Sequence, residues 1–147
     1  METMARPKSY RDLIAWQKAM ALARSAYQST EILPRREAYG LTDQIRRAAV
    51  SVASNIAEGY GRLSDLQFRH FLGNARGSLC EMRTQVELAT DLGYIDKEIG
   101  QQLMDQSAEV GRILNGLIAS LGSTAGAKVG KTNSANPANS ASGKINV

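Results

Sequence analysis

Residues 64–93 read SDLQFRHFLGNARGSLCEMRTQVELATDLG, and their spacing decides the fold. Phe68, Leu72, Ala75, Leu79, Met82, Val86 and Ala89 alternate at four and three residues over three heptads. A 3.5-residue apolar period is the pattern of helices packed side by side at a shallow angle. Ser64, with Gln67 three residues on, predicts the start, because a serine hydroxyl there accepts from an unpaired amide of the first turn. Leu92-Gly93 predicts the stop, since glycine reaches the left-handed conformation that closes helices. No stretch of useful length alternates at period two, so strands are not expected.

Three more segments carry helical periodicity. The first spans about Tyr10 to Ile32, with Leu13, Trp16, Met20, Ala23 and Tyr27 on one face. Ser9 and Asp12 form a candidate capping box for it, and Pro34 marks its end. The second starts between Arg36 and Thr42 and runs to Glu58, with Leu41, Ile45, Ala48, Val52 and Ile56 as its seam and Gly59-Tyr60-Gly61 as its C-terminal cap. The last opens at Asp96 and presents Ile99, Leu103, Gln106, Val110, Ile113 and Leu117. Four amphipathic helices with short links bury their seams best as an antiparallel up-down bundle. The expected fold is therefore all-α, an antiparallel up-down four-helix bundle with a disordered C-terminal tail.

The domain boundaries follow from composition. Residues 1–9 are expected to be a flexible N-terminus, 10–121 the bundle, and 122–147 a disordered basic tail of Gly, Ser, Ala, Asn and Lys without apolar period. Of the 147 residues, 18 are Lys or Arg and 14 Asp or Glu, giving a net charge of +4. Three of those positive charges, Lys128, Lys131 and Lys144, fall in the tail, so the bundle itself is close to neutral. Any nucleic-acid affinity of the bundle must then come from the arrangement of its arginines. The one cysteine, Cys80, cannot form an internal disulfide, which suits a reducing compartment. No apolar run approaches the ~20 residues of a membrane span, and the first residues lack a signal peptide's apolar region. A cytoplasmic location is expected.

Several motifs together resemble a known family. They are Tyr10-Arg11-Asp12-Leu13, Trp16-Gln17-Lys18-Ala19, Tyr39-Gly40-Leu41-Thr42 and Gln44-Ile45-Arg46-Arg47-Ala48-Ala49-Val50-Ser51. Ser54-Asn55-Ile56-Ala57-Glu58-Gly59, Gly61-Arg62, Phe71-Leu72, Gly77-Ser78-Leu79, Glu81 and Leu92-Gly93-Tyr94-Ile95 continue the pattern. The set is similar to the bacterial four-helix bundle family, also called the 23S rRNA intervening-sequence protein or S23 family, over roughly Tyr10 to Leu121. Position 53 is Ala where that family often has Pro, a change that eases the second helix. The resemblance implies a homopentamer of four-helix bundles around a central channel, with a nucleic-acid role. It also implies an alternative role as a protein-binding adaptor, because related proteins serve as accessory subunits of the reverse transcriptase in diversity-generating retroelements.

Among the residues themselves, arginines are the leading candidates for function. Arg62, Arg69, Arg76 and Arg83 recur every seven residues, and a heptad returns a helix to nearly the same face. They should lie on the flank of the apolar seam, as a cationic stripe that tracks phosphates or as a solvated, salt-bridged face. Asp65 with Arg69 and Glu87 with Arg83 have ion-pair spacing, whereas Arg76 has no acid three or four residues away. Arg46, Arg47 and the loop pair Arg35-Arg36 could extend the surface. Tyr39 and Tyr60 are the candidate stacking aromatics.

Other chemistry finds no foothold. A di-metal bundle needs Glu-x-x-His on two helices, but the single histidine, His70, follows Gln67. Neither metal nor cofactor is expected, and His70 reads as a surface or packing residue. Cys80 has no histidine at a usable spacing, and a buried inert thiol is expected. No catalytic residue emerges, so the protein is expected not to be an enzyme. Gly73 and Gly77, four apart inside the third helix, predict the close approach of another helix, within the bundle or across a subunit boundary. Asn55 lies beside the second seam, either fixing register or standing exposed.

Overall fold

The computed structural model describes residues 6–125, and within them the chain forms four α-helices and two single 3-10 turns. The helices are α1 (Ile14–Thr30), α2 (Leu41–Tyr60), α3 (Asp65–Asp91) and α4 (Lys97–Ala125). α2 packs on α1 and α3, α4 packs on α3 and α1, and the remaining pairs lie diagonally. This is the up-down bundle expected of four amphipathic segments with short links. Its core runs along the middle, through Leu22, Ile45, Ile56, Leu72, Met82, Leu103 and Leu114.

α3 follows its sequence reading closely. The Gln67 amide donates to Ser64 Oγ at 3.2 Å. Leu72, Ala75, Leu79, Met82, Val86 and Ala89 are buried, with Phe68 packed at the edge. Gly93, at φ +76°, turns the chain out of the helix. The α2 seam is also as expected and its start, Leu41, falls within the expected interval, but its end differs. Its start is fixed by Glu37, whose Oε2 accepts from the Leu41 amide at 3.1 Å. Its end lies at Tyr60 rather than Glu58, and the following Gly61 keeps a right-handed φ of −75°. Gly59 is therefore not a cap but a buried helical residue. A β-carbon there would stand 2.6 Å from Phe71 Cβ and 2.9 Å from Phe68 Cδ2, so its absence lets α3 press against α2.

α1 departs most from expectation. Tyr10–Asp12 form a separate 3-10 turn, because Leu13 is extended. Ser9 Oγ accepts from the Arg11 amide at 3.2 Å and Asp12 Oδ2 from the Lys8 amide at 2.9 Å, so the expected cap closes this turn rather than α1. The buried stripe of α1 is Ala15, Ala19, Leu22, Ala23 and Ala26. The larger Leu13, Trp16 and Met20 are only partly buried, and Tyr27 is exposed. Alanines let α1 lie close to its neighbours, which displaces the bulky apolar face to the flank, where Trp16 meets Tyr10 edge-to-face at 5.2 Å.

α4 continues to Ala125, four residues beyond the expected Leu121 boundary. The rest of the expected tail, 126–147, lies outside the described residues, as do residues 1–5. Leu103 and Val110 are buried, whereas Ile99, Ile113 and Leu117 are partly buried against the core. Gln106 is likewise half-exposed. Ser107 and Leu114 complete the buried face. Ser107 satisfies its hydroxyl on Met104 O at 2.7 Å.

Candidate nucleic-acid interface

The heptad arginines divide at the start of α3. Arg69, Arg76 and Arg83 lie on the flank that faces α4, and each reaches toward that helix. Arg76 Nη1 donates to Asn115 Oδ1 at 3.1 Å. The Arg69 guanidinium lies over Gly122, where a β-carbon would come within 3.3 Å of its Cζ. Arg83 lines the α3–α4 groove with Met104 and Ala108. Among the described residues none of the three makes an ion pair, and the expected Asp65–Arg69 and Glu87–Arg83 pairs are absent. Arg112 is exposed on the same face of α4 as Ala108 and Asn115. The row ends where Glu87, Asp91 and Asp105 take over the groove.

Arg62 is on the other flank. α2 continues through Gly59, so Glu58 and Arg62 pair at 2.8 Å across what the sequence suggests is a break. Its guanidinium also stacks on Phe71 at 4.6 Å. Arg46 is held inside the fold: Nε donates to Thr30 Oγ1 at 2.9 Å and Nη2 to Tyr27 O at 3.2 Å. It stacks on the Tyr27 ring at 4.6 Å, and its side chain is only 26% exposed. Arg46 thus fastens α2 to the end of α1. Arg47 is well exposed and pairs with Asp43 at 3.0 Å. Arg36 turns to the Tyr94 ring, 5.6 Å away, joining the α1–α2 and α3–α4 links. The six arginines singled out in the sequence therefore do not form one surface.

The sequence profile of the 23S rRNA-intervening sequence protein family matches residues 11–116, most of the chain. The chain belongs to that family. Among solved structures it is similar to a protein of unknown function from the S23 ribosomal protein family of Bacteroides thetaiotaomicron. The two are 23% identical and align with a TM-score of 0.67, over 71% of this chain and 98% of the other, a likeness of fold. No curated protein matches.

The remaining candidates in this intervening-sequence family member fall into place around the row. Tyr39 is 96% exposed in the α1–α2 link. Tyr60 is occupied, donating to Pro7 O at 2.6 Å and meeting Phe68 edge-to-face at 6.1 Å. His70 is exposed beside Phe71, ring centroids 5.7 Å apart. Cys80, expected to be buried, is exposed, because its helical register puts it on the outer side of α3. Gly73 and Gly77 share that side, and nothing lies within 4 Å of a β-carbon built on either. The close helix approach they suggest does not occur within the chain; it occurs instead at Gly59 and at Gly100, where a β-carbon would strike Thr90. Asn55 is half-buried and donates to Ser51 O at 2.8 Å and Ser51 Oγ at 3.1 Å. Ser51 Oγ meets Ser78 Oγ of α3 at 2.9 Å, so this polar trio bears on the α2–α3 register.

Among the described residues no three His, Cys, Asp or Glu side chains converge as a metal site. No described helix is long and apolar enough to cross a membrane. Sequence reasoning found the arginine row by its period but missed Asn115 and Gly122, which no spacing within α3 reveals.

Proposed function

We propose that this intervening-sequence family member is a non-enzymatic, oligomeric protein that binds nucleic acid through phosphate contacts from Arg69, Arg76 and Arg83. One observation carries the reading: three arginines share one helix flank without an acidic partner among the described residues. Cations left unpaired on a rigid surface attract a polyanion, and each phosphate contact releases condensed counterions. Arg46, Arg47 and Arg62 are assigned to the fold or to local ion pairs and contribute little.

The oligomer is a ring of five, as the family resemblance implies. The outer side of α3 favours a second copy there, since Gly73 and Gly77 leave an open strip between exposed Leu66 and Leu88. The adaptor reading, for instance as a reverse transcriptase subunit, has its own support. Leu63 is fully exposed, next to a groove lined by Arg62, Leu66, Gln67, His70 and Phe71.

Salt-titrated binding tests the phosphate reading. Arg76→Gln should lower the slope of log affinity against log salt by roughly 0.7 to 0.9, and the triple change at 69, 76 and 83 by about three times as much. The loss should be equal across sequences, because phosphates carry no sequence information. Unchanged slopes in a protein of unchanged mass and helicity would return the row to a solvated face. Light scattering tests the ring: a monomer of about 16 kDa at every concentration would sink it.

A further inference from the structure

The way α4 holds the arginine row carries an inference that rests on the phosphate-binding reading and names its ligand. We infer that the row grips duplex nucleic acid along its backbone rather than a single strand, with Asn115 and Gly122 as the positioning residues. Two of the three guanidinium groups are placed by α4, Arg76 through its bond to Asn115 and Arg69 by lying over the bare backbone of Gly122. Their separation is therefore set by two packed helices and not by loose side chains.

Seven residues advance a helix by about 10 Å, so the row from Arg69 to Arg83 is about 21 Å long. At ~3.4 Å per base pair that length covers about six base pairs, with the acids Glu87, Asp91 and Asp105 closing one end. A fixed row of cations suits a partner whose phosphates are themselves fixed. Duplex DNA is stiff over ~150 base pairs, whereas a single strand must be ordered to match. A duplex also presents about one charge per 1.7 Å of axis, roughly twice the density of one strand.

Single-strand binders make up that difference by stacking bases on aromatic side chains. α4 contains no aromatic residue at all. The rings of α3 lie off the row: Phe68 packs on the core, Phe71 faces Gly59 of α2, and the exposed His70 lines the groove of Arg62 beside Phe71. The exposed Tyr39 belongs to the α1–α2 link. Among the described residues the Arg69–Arg83 row has charge but no Phe, Tyr or Trp ring on which to stack. Arg112, between Ala108 and Asn115 on α4, adds a fourth cation beside the row.

The test is fluorescence anisotropy of the full chain with a mixed-sequence duplex several footprints long and with each separated strand, as DNA and as RNA. Salt is varied over roughly 50 to 200 mM, the range in which phosphate contacts dominate the change in affinity. Each duplex should bind more tightly than either of its strands, and Arg76→Gln should lower the duplex slope by about 0.9. Asn115→Ala keeps every cation but releases Arg76, so the duplex slope should hold while the duplex-to-strand affinity ratio falls. Oligomer mass and helicity are measured on the same samples. Strands that bind as tightly as the duplex, with Arg76→Gln still lowering their slope, would overturn the duplex inference and leave the phosphate row standing. Slopes unmoved by Arg76→Gln on either form would overturn both. An unchanged affinity ratio in Asn115→Ala would overturn the positioning role.

Discussion

Replacing Gly59 by alanine adds one methyl group where α2 and α3 come closest. That carbon would stand 2.6 Å from Phe71 Cβ, 2.9 Å from Phe68 Cδ2 and 3.3 Å from Phe68 O. Phe71 Cβ and Phe68 O are fixed to the α3 backbone, so no rotamer change relieves the contact. Carbon atoms rest ~3.5–4.0 Å apart, and α3 must therefore withdraw by about 1 Å. Forcing an extra methylene into a packed interior costs about 1–3 kcal/mol. Alanine regains about 1 kcal/mol over glycine in a helix, which leaves a net loss of up to about 2 kcal/mol. For a domain of this size each kcal/mol lowers Tm by roughly 4 °C, so the drop reaches up to about 8 °C. The internal control is the same substitution at Gly73 and Gly77, where nothing lies within 4 Å. There the methyl meets no obstacle within the chain, and at concentrations where the chain is monomeric each change should stabilise it by up to about 1 kcal/mol. Thermal melts followed by circular dichroism, with oligomer mass checked by light scattering, compare the three. A Gly59→Ala protein that melts at or above the wild type would refute the close-packing account. Losses at Gly73 and Gly77 equal to that at Gly59 would show that a second chain covers the outer side of α3.

The other expectations concern single side chains. Arg46→Ala removes two hydrogen bonds from a charged donor and a stacked ring, and should cost about 2 kcal/mol in urea unfolding. Arg46→Lys should recover less than half of that, because an ammonium cannot reproduce the planar two-point contact. Neither change should alter the salt slope of nucleic-acid binding; a smaller slope would return Arg46 to the binding surface. Cys80 is exposed within the chain, on the side of α3 where the proposed ring seats a second copy, so its reaction with a maleimide should slow as protein concentration rises and the ring assembles. Labelling as fast as in the unfolded protein at every concentration would take the second copy off this side of α3.

Cys80 also shows where a linear reading stops. Its neighbours Leu79 and Met82 are buried, but register, not adjacency, decides exposure, and one position turns a helix by about 100°. The same limit appears in α1. Its large apolar residues made the more visible face, yet the core took the alanines, because close helix packing rewards small side chains as much as large ones. Arg46 shows it again: in sequence it is one more cation beside Arg47, and only the arrival of Thr30 and Tyr27 from α1 makes it a fastening inside the fold. Gly59 was legible as special but not for the right reason, since a glycine signals either a cap or a close approach and the sequence does not distinguish them.

The sequence by itself determined the helices, their order, the ends of α3 and the heptad that aligns Arg69, Arg76 and Arg83. These follow from interactions between residues within a few turns of each other, which period and capping residues record directly. Only the tertiary structure decided which arginines remain without an ion pair, that Arg62 parts from the row, that Arg76 bonds Asn115 and that Arg69 lies over Gly122. Those outcomes depend on residues 39 and 53 positions apart being brought side by side by the packing of α3 on α4. No local pattern encodes such a meeting, because it is the burial of the whole apolar seam that sets how two helices lie against each other.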